Sequence, residues 1–261
     1  MYVRVLLGPF VKKESWKIFM YRFFVQPQVN RFKQSIVGYE TLIRESRNGR
    51  WMLPKDFSAI SLACQLKLLC RCVDALHLKS HYLGFNLNRV QLQDPDVVQQ
   101  LIEFQAKIHP VRLVVELTEE VCEDANDPAC VLKQIKTLHD GGVQVSLDDV
   151  GTGENQLDRI ECLLPYVSEL KVALQNFRHD GNEIMIPEEL HEWRRVSNAY
   201  HLRFLVEGVE TPGDQSALDG LDIALRQGYY YANRICCSIG VNSTTVHGWR
   251  KTRKAEMKRN D

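Results

Sequence analysis

The stretch "IVGYETLIRES" (residues 36–46) sets the terms on which the rest of the chain is read. Its first half is apolar and suits a strand. Its second half delivers Glu40, Leu42 and Arg44. Side chains of an extended chain alternate between faces, so these three point the same way. One strand end therefore presents an acid, an apolar residue and a base to a single space. Taken alone, a solvated surface ion pair accounts for that. What decides the matter is whether other strands end in the same fashion.

Upstream lies "RFFVQP", a second strand-like run with no helix between it and the first. Downstream, strands alternate with helices. A helix is expected from Phe57 to about Leu78, with Asp56 as its cap and Phe57, Ile60, Cys64, Leu68, Cys72 and Ala75 as its apolar stripe. "YLGFNLN" is a strand, and "DPDVVQQLIEF" a helix capped by Asp94 with Pro95 in its first turn. "RLVVELTE" is a strand, and "DPACVLKQIKTLHDGG" a helix that stops at glycine. The pattern continues through strand "VQVSLDD", short helix "ENQLDRIECLL", strand "VSELKVAL" and helix "PEELHEWRRVSNAY". It closes with strand "RFLVEGVE", short helix "DQSALDGL" and strand-like "ALRQGYYYA". Such repetition implies a parallel sheet, and about eight units point to a closed (β/α)8 TIM-type barrel. The two opening strands without a helix between them predict an irregular start with one antiparallel strand.

The ends of these strands carry the chemistry. They deliver Glu40, Asn86, Glu116, Asp148 with Asp149, Lys171, Glu207 and Gln227. In a barrel, such ends converge on one face. Five carboxylates on one small face would repel, and hard divalent cations remove the conflict. Carboxylates with an amide oxygen suit Mg²⁺ or Mn²⁺, and the imidazole and thiolate that zinc favours are absent from this set. Adjacent Asp148 and Asp149 can reach two ions, which together clamp the attacking and leaving oxygens of a phosphate displacement. A nearby lysine can orient water, and Arg44 can bind a phosphate.

Composition agrees. The chain has 261 residues with 33 basic and 33 acidic side chains, so no global field selects nucleic acid or a membrane surface. Its apolar content of 44% suffices for a large core, and no apolar run is long enough to span a bilayer. The opening "MYVRVLLGPFVKKE" is broken too early by Gly-Pro and lysines for a secretory signal. Eight cysteines without a C-x-x-C pair read as thiols in a reducing cytoplasm. Residues 1–245 are read as one barrel domain, and 246–261, with six basic residues between Arg250 and Arg259, as a basic tail.

In their order, "FVQPQVN…IVGYETLIR", "GFNLN", "VVELTEE", "VSLDDVGTG", "ELKVA", "LVEGVET" and "QGYYYA" resemble the successive motifs of the EAL domain family, bacterial phosphodiesterases that linearise cyclic di-GMP. The resemblance runs from about Tyr21 to Ala232. It implies a (β/α)8 barrel, two Mg²⁺ or Mn²⁺ ions, water attack on one phosphodiester and pGpG as product. By position it implies Glu40, Asn86, Glu116, Asp148 and Asp149 as metal ligands. Lys171 would hold the nucleophilic water, and Glu207 would be a general base or ligand. Leu42, Arg44, Gln26 and Gln227 would meet the nucleotide, and Glu119 would anchor the loop after the aspartate pair. A cytoplasmic homodimer is implied, with a protein partner left open.

The chain departs from the family in places. Thr41 stands for the signature alanine, on the face turned away from the metals. Lys171-Val172-Ala173 lacks the carboxylate of the family's Lys-Ile-Asp. Val150, Glu154, Asn155 and Gln156 replace an aromatic, a tyrosine and two serines in a loop that, in the family, links the metal site to the dimer interface. An alternative follows from these changes: a non-hydrolysing member that serves as a cyclic di-GMP receptor or protein-binding regulator.

Overall fold

The structure, a computed structural model, describes residues 20–76, 81–121, 127–179, 186–233 and 235–236. The basic tail and the chain start lie outside these residues.

Strand β1 (Tyr21–Asn30) turns back on β2 (Ser35–Arg47), and the two pair antiparallel with a register shift at Gln28/Val29. From β2 the order is parallel throughout: β4 (Tyr82–Leu87), β5 (Arg112–Leu117), β6 (Gln144–Leu147), β7 (Glu169–Ala173), β8 (Arg203–Glu207) and β9 (Leu225–Gln227). The last of these pairs antiparallel with β1 and closes the ring. Two short strands lie outside the closed ring: β3 (Arg50–Met52) extends β2, and β10 (Ile235–Cys236) extends β1. The barrel therefore has one reversed strand at its start, as the missing helix between the first two strands implied.

The helices are amphipathic and pack on the outside. Asp94 caps α3 (Pro95–Ile108), its carboxylate accepting from the Asp96 amide at 2.9 Å. Asp127 caps α4 (Pro128–Asp140) through the amides of Ala129 and Cys130. Each cap satisfies amide donors that the first helical turn leaves open. A short helix, α2 (Arg89–Gln93), precedes α3 and is held by a capping box on Asn88, a turn the sequence pattern did not isolate. Ala173 is followed directly by the short helix α6 (Leu174–His179). The helix α7 (Ile186–Ala199) carries Glu188 and Glu189 in its first turn, and α8 (Pro212–Gly220) is capped by Thr211.

Two expectations shift. Helix α1 spans Leu62–Leu76 rather than starting at Phe57. The Asp56 carboxylate is used locally, accepting from the Ser58 amide at 2.8 Å and the Ser58 hydroxyl at 2.5 Å, which fixes a turn. The helix start falls at Ser61, whose hydroxyl accepts from the Cys64 amide at 3.4 Å, and Phe57 is 51% exposed. The run "ALRQGYYYA" is a strand only as far as Gln227. The tyrosines beyond fold into a turn, with the Tyr230 amide bonded to the Val209 carbonyl at 3.0 Å.

Candidate active site

Because β2 and β4 to β9 run parallel, their carboxyl ends share one mouth. Register brings side chains together there: Glu40 sits opposite Gly84, Asn86 opposite Glu116, and Ala173 opposite Glu207. Side-chain alternation along each strand then selects which residues face inward.

Lys171 is the centre. It is fully buried, and its Nζ lies 2.5 Å from Glu207 Oε1, 2.8 Å from Glu116 Oε2 and 3.0 Å from Asp148 Oδ1. Burial alone would depress its pKa. The Asp148, Glu116 and Glu207 carboxylates outweigh that and hold it well above the ordinary lysine value. Glu116 is also completely buried, and burial pushes its carboxyl up to about 8 against the pull of Lys171, with Glu40 and Asp148 adding repulsion. Burial likewise raises Glu207 well above the usual carboxylate range, with Asp148, Glu40 and Glu116 contributing.

Glu40 accepts from two amides: Asn86 Nδ2 at 3.1 Å and Gln227 Nε2 at 2.5 Å. That leaves the Asn86 and Gln227 side-chain oxygens buried without a hydrogen bond, aimed into the same mouth. Oδ1 of Asp149 is in the same condition. One oxygen each from Asp148, Asp149 and Glu207 can lie within 4.8 Å of one another. Asp149 adopts the left-handed backbone at φ 48°, a sparsely populated conformation for a residue with a side chain. Burial, then Asp148 and Glu119, push its carboxyl up to about 7.

Two cavities flank the cluster. One of about 340 Å³ is bounded by Gln26, Glu40, Leu42, Glu207, Gln227 and Tyr229. The other, of about 300 Å³, is bounded by Leu42, Arg44, Asn86 and Asp148 on the carboxylate side and by Phe57 and Leu53 outside. Leu42 divides them. The residues singled out in the sequence thus gather at a single mouth. Arg44 does not pair with Glu40: its Nη1 donates to the Ile43 carbonyl at 2.8 Å. Thr41 faces away from the carboxylates, as alternation required, donating to the Gly84 carbonyl at 2.6 Å.

The loop after the aspartate pair is anchored through the Glu119 backbone. Its carbonyl accepts from the Glu154 amide at 2.9 Å, and a Cβ at Gly153, where φ is 46°, would lie 2.1 Å from that oxygen. Three partners went unrecognised in the sequence. Asn155 Nδ2 donates to the carbonyls of Leu117, at 3.0 Å, and of Asp148, at 2.5 Å. Buried Arg89 then holds the Asn155 side chain and the Glu154 carbonyl, each at 2.9 Å. Gln28 approaches Glu116 Oε1 at 3.5 Å, and its position two residues beyond Gln26 on the same strand face was the signal that could have found it. No sequence signal pointed to Arg89.

The donor set at this mouth is entirely oxygen and mostly anionic, with unsatisfied buried oxygens turned inward. Those are the ligands hard divalent cations take, so the residues present fit such ions.

A family model described as EAL domain matches residues 20–234. Among curated relatives, the chain is 24% identical over 224 residues to an Escherichia coli protein named probable cyclic di-GMP phosphodiesterase PdeG, covering 80% of this chain and 43% of the relative. It is 28% identical over 182 residues to cyclic di-GMP phosphodiesterase NbdA of Pseudomonas aeruginosa, covering 64% of this chain and 22% of that protein. Among solved structures, the Klebsiella pneumoniae BlrP1 manganese/cy-diGMP complex superposes with a TM-score of 0.67 at 22% identity, over 84% of this chain and 57% of that one. The chain spans less than half the length of these two curated relatives. No helix among the described residues is long and apolar enough to cross a membrane.

Proposed function

The chain belongs to the EAL domain family, and from that membership we propose that it hydrolyses one phosphodiester bond of cyclic di-GMP to give linear pGpG with the help of two hard divalent cations, Mg²⁺ or Mn²⁺. The observation that carries this reading is the convergence of Glu40, Asn86, Glu116, Asp148, Asp149 and Glu207 around one buried lysine.

In this reading Glu40, Asn86, Glu116, Asp148 and Asp149 would hold the ions. The ions, when bound, screen the phosphoryl oxygens and acidify water. The protein's own groups do the rest. Lys171 Nζ, shared among Glu207, Glu116 and Asp148, exchanges one of these contacts to donate to the attacking water and fix its position. Glu207 Oε1, next to that ammonium, accepts the proton the water gives up. Asn155, itself held by Arg89, holds the Asp148 carbonyl, so that both aspartates face the phosphate. Gln26, Gln227, Leu42 and Arg44 line the flanking cavities and hold the nucleotide.

The decisive test is incubation of the purified chain with cyclic di-GMP and Mg²⁺ or Mn²⁺, with a chelator control. Linear pGpG that vanishes with chelator is expected. Tight binding without product would instead favour the receptor reading, which rests on Ala173: it is buried and apolar where the family has a carboxylate.

A pH dependence follows from the same residues. When no cation is bound, Glu116, at about 8, is mostly protonated at neutral pH, and Asp149, at about 7, is protonated in part. A raised carboxyl stabilises the metal-free fold fully at low pH, and that contribution disappears as pH climbs through 7 to 8. Cation binding needs the charged forms, so affinity should rise over that window by up to about tenfold per pH unit for each proton released. Calorimetry in buffers of different ionisation enthalpy should register proton release at pH 6.5 that shrinks by pH 8.5. Equal affinity and no proton release across that range would remove these carboxyls from the ligand set.

A further inference from the structure

The ribbon of β1 and β2 continues beyond the closed barrel, and the face that carries Gln26 and Glu40 continues with it. Phe24 stands opposite Leu42, and Arg22 opposite Arg44. Trp51 of β3, paired with Ser46, lies across this face. Its ring is 6.1 Å from that of Phe24, and the Arg22 guanidinium sits 4.9 Å from the Trp51 centroid. The wall whose foot is Glu40 thus ends in two guanidinium groups and two aromatic rings.

This upper rung contributes little to the barrel. It lies outside the closed ring of strands, and Arg22 is exposed. Its placement relative to the carboxylates is what gives it a use. Four residues of strand separate it from the Gln26–Glu40 rung, about 13 Å of extended chain. A nucleotide whose phosphate lies on the carboxylates can extend its base up this wall.

We propose that Arg22 and Trp51 form an outer guanine-reading site, an inference that rests on a cyclic dinucleotide being the ligand. In the ligand-free chain the guanidinium covers one face of Trp51. A guanine takes that face, and Arg22 swings to the base edge. Guanine presents two adjacent acceptors, O6 and N7, which suit the arginine fork; adenine presents a donor and an acceptor there. Stacking on an indole ring is tolerant of the base. The two residues therefore divide the work: Trp51 holds any purine, and Arg22 selects guanine.

The experiment compares wild type, Arg22→Ala, Trp51→Ala and Trp51→Phe with three probes: cyclic di-GMP, cyclic di-AMP, and bis(p-nitrophenyl) phosphate, which has a phosphodiester but no base. Arg22→Ala should raise KM for cyclic di-GMP about tenfold, with kcat nearly unchanged, and narrow the preference over cyclic di-AMP. Trp51→Ala should weaken both dinucleotides, and Trp51→Phe should recover most of the loss. KM for the base-free probe should stay put, which a general loss of fold would not allow. If wild type binds cyclic di-GMP without hydrolysing it, dissociation constants replace KM in the same comparison. Unchanged variants in an active or binding protein would overturn this inference alone. A wild-type chain that neither binds nor cleaves cyclic di-GMP would overturn the substrate reading and this site with it.

Discussion

Glu116→Gln should lower the rate of cyclic di-GMP hydrolysis by about a thousandfold or more while leaving the metal-free protein folded at pH 7. The magnitude reflects the several kcal/mol that divalent cations contribute to phosphoryl transfer, each 1.4 kcal/mol being about a factor of ten. The preserved fold follows from the local chemistry. With its pKa pushed up to about 8, the Glu116 carboxyl is already protonated for the most part at pH 7 when no cation is present, and a glutamine is close to isosteric with that neutral form. The site has no slack for a larger change: a Cβ at Gly84 would come within 2.0 Å of Glu116 Oε1, so glycine on the neighbouring strand is what admits the carboxylate. The substitution therefore removes the charged state alone. Melting temperature without cation should hardly move, and the rise produced by Mg²⁺ or Mn²⁺ should largely vanish. A Glu116→Gln protein that forms pGpG at the wild-type rate would remove this residue from the machinery.

The strand-end pattern was legible because it is local. Each of "IVGYE", "RLVVE" and "RFLVE" reads as an apolar run closed by an acid, and once a parallel barrel is granted the acids must meet. The reversed first strand was legible for a similar reason: ten or more residues are needed to cross over to a parallel neighbour, and the segment between "RFFVQP" and "IVGYE" is too short for a helix. What escaped was set by distant partners or by competition between equals. Asp56 and Ser61 are both acceptable caps, and with the helix starting at Leu62 the apolar stripe was two residues, Phe57 and Ile60, too long at its start. Asn155 reads as a departure from a serine, yet it joins the carbonyls of two strand ends to Arg89, which lies 66 residues away in sequence. Trp51 gave no pattern at all, since its neighbours in space, Arg22 and Phe24, lie on another strand. Interactions of that kind become visible only when register is known.

Lys171→Met should separate what the ammonium does for the fold from what it does for the reaction. In wild type, one buried charge answers carboxylates from Glu116, Asp148 and Glu207. Removing one partner of a buried ion pair costs about 3–5 kcal/mol when the remaining charges cannot leave. Here they can be neutralised by protons, and this makes the cost depend on pH. Lys171 itself stays charged across the accessible range, because its pKa is raised. The carboxyls of Glu116 and Glu207, already displaced upward by burial, move further up once the ammonium is gone. Acids with raised folded-state pKa values lose their contribution to stability as pH increases through those values. The deficit of the variant should accordingly stay small through neutral pH, where the wild-type Glu116 carboxyl is itself largely protonated, and grow above pH 8 as the wild-type carboxyls ionise against the ammonium. Cations would supply the missing positive charge, so Mg²⁺ or Mn²⁺ should restore most of the melting temperature lost above pH 8. Turnover should not return with it: without a donor at Nζ the attacking water has no fixed position, and a loss of roughly 10²–10⁴ should persist at saturating metal. Equal stability deficits at pH 7 and pH 9, or turnover rescued together with the fold, would mean that the lysine is only a counter-ion.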